Sequence, residues 1–170
     1  MWRVFLILLM AVPIGLFAQS VEELEKRNGF KDIKLISSPH SYEGLELKKE
    51  GVDDETFPNT RIYEAKKGHY ERIGKIKIHD LEVYAYKDSI YKIVVVTEKD
   101  PKLYQGMKKL FGEPEYAYGS DRYYWMTDKL RLSYGSHGRN KIEMTYFSYL
   151  MVEKRKQEKE EVIEDIADDF

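Results

Sequence analysis

The sequence contains no cysteine, which excludes a disulfide framework, a thiolate metal site, a cysteine nucleophile and a lipid-modified cysteine. It also lacks an excess of either charge. Its 28 Lys+Arg face 30 Asp+Glu for a formal net charge of −2, so there is no electrostatic footprint for general nucleic-acid binding, and no nucleic-acid partner is expected. Past residue 20 no apolar run is long enough to span a bilayer, and the longest, Ile93 to Val96, is strand-sized. The 11 glycines are scattered, and none falls into G-x-G-x-x-G or G-x-x-x-x-G-K, so a phosphate cradle is absent. His40, His69, His79 and His137 form neither H-x-H nor H-E-x-x-H. Asp53-Asp54 lacks the alternating ligands and central glycine of a calcium loop. Neither a metal nor a cofactor is therefore expected.

What is present begins with an address. Arg3 provides a basic start, and Val4 to Ala18 then runs uncharged, broken near its end by Pro13 and Gly15. A basic start, an apolar middle and a small residue at the exit are the layout of a secretory signal peptide, cleaved after Ala18 or after Ser20. Residues 1–18 are assigned to it, and the mature protein is expected in the periplasm or outside the cell, with no stable membrane insertion after cleavage. Without cysteine, the domain must hold together in an oxidising compartment on core packing alone.

Residues 19–150 read as a single α+β domain and residues 151–170 as a charged C-terminal helix or tail. Ser20-Val21-Glu22-Glu23 is a capping box for a short helix that Asn28-Gly29 closes. Phe30, Ile33 and Leu35 suggest one short strand. Residues 40–60, with charge clusters at 48–50 and 53–55, predict a long loop. Period-2 alternation then predicts a hairpin over 81–98, turning at Lys87-Asp88-Ser89. Asp100-Pro101 opens a helix whose apolar stripe is Leu103, Met107, Leu110 and Phe111, with Gly112 and Pro114 ending it. Two further strands pair across Thr127-Asp128, and KIEMTYFSY places Ile142, Met144 and Tyr146 on one face. The expected fold is an antiparallel sheet in two hairpin-rich blocks with one packed helix between them. In the last segment, i,i+4 pairs Lys154/Glu158 and Lys156/Glu160 support a solvated helix, and six of the ten residues from Glu160 to Asp169 are acidic.

The chemistry-bearing residues are few. His79-Asp80 between two strand-like runs reads as a polar bend or bulge. Ser136-His137 lies in a hairpin loop and lacks the G-x-S-x-G spacing of a nucleophile elbow. The one compositional excess is aromatic. Of 14 tyrosines, seven lie between Tyr116 and Tyr149 together with Trp125 and Phe147. Aromatics form strands and stack across them, but Tyr and Trp also pair apolar area with a polar tip that suits recognition. Tyr116, Tyr118, Tyr124 and Trp125 are the candidate binding residues. Alternation over 121–128 puts Tyr123 and Trp125 on one face and Tyr124 and Met126 on the other.

Five segments together carry a resemblance: NGFKDIKL, the hairpin VYAYKDSIYKIVV, the helix ending in LFGEP, the run YYWMTDKLRLSY, and KIEMTYFSY before a charged helix. In this order the chain resembles small exported proteins of Gram-negative bacteria without an assigned function. More loosely, it is similar to α+β modules that bind other proteins in the periplasm as assembly factors or inhibitors. The resemblance implies export and brings no catalytic residues with it.

Three functions follow as expectations. The first is a non-enzymatic periplasmic protein-interaction module that presents the tyrosines to an envelope protein partner; complete burial of Tyr118 and Tyr124 would rule it out. The second is a small-ligand or glycan-binding domain with an aromatic cleft around Trp125. The third is a hydrolase assembled from dispersed Asp, Glu and His79 or His137.

Overall fold

A computed structural model describes residues 22–170, and the signal-peptide assignment at residues 1–18 lies outside them. Helix α1 covers residues 22–27 and stops at Asn28, whose backbone N–H returns to Leu24 O at 2.9 Å. Its capping Ser20 is outside the described residues. The expected single strand over 30–35 is instead a minimal hairpin of β1 (Gly29–Phe30) and β2 (Ile33–Lys34). Its turn places Lys31 at a φ of 52°. Phe30, Ile33 and Leu35 are still all buried.

The main correction concerns residues 40–60. After a single helical turn at Pro39–Ser41, Leu45–Val52 is not loop but an eight-residue strand, β3. It is an edge strand with six consecutive exposed positions, so it shows no apolar alternation, and its charges guard an unpaired edge. It pairs with β4 (Thr60–Ala65), which pairs with β6 (Ile76–Tyr86), while the short β5 (Arg72–Ile73) pairs with the start of β6. β6 and β7 (Ser89–Glu98) form the central hairpin. Lys87 and Asp88, at φ of 44° and 63°, supply the two positive-φ positions of a tight turn matched to strand twist.

Helix α2 (Pro101–Phe111) follows. The Asp100 carboxylate accepts from Lys102 N at 2.8 Å, Pro101 occupies the first helical position, and Gly112 closes the end at a φ of 81°. Strands β8 (Glu115–Ala117), β9 (Arg122–Met126), β10 (Leu130–Ser136) and β11 (Lys141–Ser148) complete the sheet, and α3 (Tyr149–Asp168) ends the chain. The spatial order is β3-β4-β6-β7-β11-β10-β9-β8, every neighbour antiparallel. The fold is α+β. The strands before and after α2 join through β7 and β11 into one continuous sheet.

The two faces of this sheet carry different cores. On one, Leu81, Val83, Ile93, Val95, Leu132 and Met144 pack beneath α1, β1–β2 and α2. Helix α2 contributes Leu103, Met107 and Phe111, each worth about 1.5–3 kcal/mol on burial. On the other face Phe57, Tyr86, Tyr91 and Met151 form a small second core under the first turns of α3.

A bulge makes this division possible. Ala85 faces Ile90 while Tyr84 faces Lys92, so Tyr91 is the extra residue. Ile90 and Ile93 therefore both point into the first core, and Tyr91 turns to the second, where its ring stacks on Phe57 at 4.0 Å. His79 is likewise the extra residue of a bulge in β6, between the pairs Ile78–Thr97 and Asp80–Val96.

Candidate functional site

The four candidate binding residues do not share a surface. Alternation along β9 runs as the sequence implies, and it separates them. Trp125 points into the first core, is only 4 % exposed, donates its indole N–H to Gly112 O at 2.9 Å and packs against Phe111. No aromatic cleft can form around a tryptophan sealed beneath α2, so Trp125 is a structural residue. Tyr116 and Tyr118 contact each other edge to face at the β8 margin, 38 % and 89 % exposed. Tyr116 lies opposite Tyr123 on the α2 side of the sheet. Tyr124 is on the opposite side, half-buried, with the Arg131 guanidinium over its ring and Ser120 hydrogen-bonded to its hydroxyl.

Of the four histidines only His69 and His79 line a common pocket, while His40 sits by Asp88 and His137 by Glu143. His137 Nδ1 lies 3.0 Å from Glu143, but that carboxylate is also held by Arg122, and the imidazole is half exposed. This is a surface ion cluster that ties the β10–β11 loop to the sheet. His79 lines a small polar pocket with His69, Glu71 and Asp80. No group of three or more His, Asp or Glu able to hold a metal occurs among the described residues. No helix of the described residues is long and apolar enough to cross a membrane.

A cavity of ligand size lies where the sequence marked only core. A cleft of about 420 Å³ opens beneath α2, bounded by β1, the β5–β6 turn and the inner face of β11. That volume is within the ~300–1,000 Å³ range of small-molecule sites. Leu103, Met107, Leu110 and Phe111 form its α2 wall, and Met144 and Tyr146 contribute from β11. Two glycines leave space along its lining, and a third sets the β1–β2 hairpin beside it. Gly106 in α2 has nothing within 4 Å of where its Cβ would sit, and Gly74 opens the β5–β6 turn. At Gly29 a Cβ would lie 2.2 Å from Ile33 O, so only glycine lets β1 approach β2 this closely.

Tyr146 is the cleft's polar feature. It is 6 % exposed, and its hydroxyl has no hydrogen-bond partner among the described residues. Burial pushes the phenol well above its ordinary range, and the positive charge of Arg27 acts in the opposite direction. Among the described residues that line the cleft, the charged ones are Arg27, Lys31 and Lys102, all three cations.

Sequence reasoning missed this site for a physical reason. Tyr146 falls in phase with Ile142 and Met144 and so reads as core. The signal that was available is Gly106, a mid-helix glycine that costs about 1 kcal/mol relative to alanine, in a helix otherwise well capped at both ends. Leu110 is a second sign: it belongs to the apolar stripe yet is over a third exposed, because it opens on the cleft.

No protein-family model, curated protein or solved structure matches the chain.

Proposed function

We propose that the protein is a non-enzymatic binding protein, exported by its N-terminal segment, that takes a small, largely apolar ligand in the cleft beneath α2. The observation carrying this reading is the combination of an apolar cleft of ligand size with a phenol hydroxyl on its wall, that of Tyr146, which makes no hydrogen bond among the described residues. A ligand acceptor there would replace water as the partner of this hydroxyl, for a net gain of about 0.5–1.5 kcal/mol. Among the described residues that line the cleft there is no nucleophile with an adjacent base, and the charged groups are three cations.

The test uses a neutral apolar fluorophore. Nile red is expected to brighten on binding the full chain, and Gly106→Leu, which projects a side chain into empty space, is expected to abolish the response while raising thermal stability. Unchanged binding by a folded Gly106→Leu protein would place the fluorophore elsewhere and overturn the reading.

A second reading is docking of an envelope protein on Tyr116 and Tyr118. Tyr118 at 89 % exposure beside the edge strand β8 favours it, since exposed Tyr side chains next to an unpaired edge suit a partner. Tyr118→Ala together with Tyr116→Ala should then release a partner captured by crosslinking in the cell envelope. Retention of that partner by the double variant would exclude this surface.

A further inference from the structure

The cleft beneath α2 also carries a charge pattern that narrows its ligand. Among the described residues, its lining includes Arg27, Lys31 and Lys102 and no Asp or Glu, in a chain whose acidic residues outnumber its basic ones. Lys31 is already engaged: its ammonium donates to Arg72 O at 2.7 Å and lies 5.7 Å from the Phe30 ring centroid. Arg27 has one partner, Glu23 at 2.7 Å, in a pair open to solvent. Such a pair holds its guanidinium only weakly, and five donors leave capacity for a second anion. Arg27 and Tyr146 both line this cleft.

Taken together, an O–H donor and a guanidinium stand beside a wall of Leu103, Met107, Leu110 and Phe111. That is the donor set of a carboxylate receptor joined to a hydrocarbon trough. We propose, resting on the small-ligand reading above, that the cleft binds a single-chain amphipathic carboxylate. The Tyr146 hydroxyl donates to the carboxylate, Arg27 neutralises it, and the chain lies along the apolar wall of α2. The other surface features fit a ligand less well. Tyr124 and Arg131 are satisfied by each other, and the exposed apolar residues of α3, Val162, Ile163 and Ile166, have nothing packed on them to say what covers them.

The experiment is calorimetric titration of the full chain with dodecanoate and, in parallel, with dodecanol, both below their aggregation concentrations. Dodecanoate is expected to bind at least about tenfold more tightly than dodecanol, as a charge-assisted contact requires. Arg27→Gln, on an exposed helix turn and so neutral for folding, is expected to remove that preference by weakening dodecanoate alone. Gly106→Leu is expected to weaken both. Equal affinity for the two probes, or a preference that survives Arg27→Gln, overturns the carboxylate assignment and leaves the small-ligand reading standing. Absence of binding by either probe, or binding unaffected by Gly106→Leu, overturns both.

Discussion

Trp125 and Tyr118 lie seven residues apart in one aromatic run, and their roles are opposite. Trp125 fills the space between β9 and α2 and donates to Gly112 O, so it also secures the carbonyl at the helix's end. Trp125→Ala is expected to cost about 3–5 kcal/mol in denaturant unfolding, against no more than about 0.5 kcal/mol for Tyr118→Ala. Equal effects would mean that Trp125 is not a core residue. Tyr146 makes a sharper prediction. Its hydroxyl makes no hydrogen bond among the described residues, so Tyr146→Phe should be neutral or stabilising, whereas a hydroxyl bonded within the fold would make the same change destabilising. Strand alternation correctly separated Tyr123 and Trp125 from Tyr124 and Met126. Alternation does not say which face is covered, however, and so the four candidate residues could be grouped only by composition.

At the scale of elements, capping chemistry was the most legible signal. Asp100-Pro101 and Gly112 bound α2 where expected, and Ser148 caps α3 through its hydroxyl, which accepts from Met151 N. Strand β3 was illegible because its exposed positions carry charges rather than an apolar alternation, while its pairing is made by the backbone ladder to β4 with ion pairs across the sheet. Lys48 on β3 reaches Glu64 on β4 at 3.0 Å and Glu82 on β6 at 2.9 Å, and these two carboxylates raise its pKa. Burial by itself would push Glu82 up, but hydrogen bonds from Tyr84 and Lys48 outweigh it and hold the carboxyl below its ordinary 4.5. A carboxyl depressed on folding contributes stability that is present above about 4.5 and is lost as pH falls toward the folded value. Lys48→Met should therefore move the acid-unfolding midpoint to higher pH; an unchanged midpoint would show that the β3 edge is held by other contacts.

The pairs expected in α3 are replaced by others. Glu158 is taken by Tyr86 and Lys87 from the β6–β7 hairpin, and Lys156 pairs with Glu153. Those tertiary contacts anchor the first half of the helix. Residues 161–170 are all exposed, so truncation after residue 160 should leave the melting temperature within a few degrees. A large drop would mean that the acidic end is part of the fold.

At the scale of the whole molecule, the sheet separates two cores, and the cleft exists because the larger one is incompletely roofed. Helix α1, β1 and the β5–β6 turn approach α2 without closing over it, and Gly74 and Gly106 leave open space along the lining. None of this could be read from local pattern, since the cleft joins residues from 27 to 146 and depends on the β7–β11 pairing that merges the two halves of the sheet. The methionines give a direct test. Met107 and Met144 line the cleft, Met151 is buried in the second core and Met126 is exposed on β9. Methyl-labelled methionine spectra recorded during titration with dodecanoate are the measurement that decides. Saturable shifts of the Met107 and Met144 methyl signals, with those of Met126 and Met151 unmoved, are the predicted result. Signals of Met107 and Met144 that stay in place while dodecanoate binds, or four signals that move together, would contradict a ligand site beneath α2.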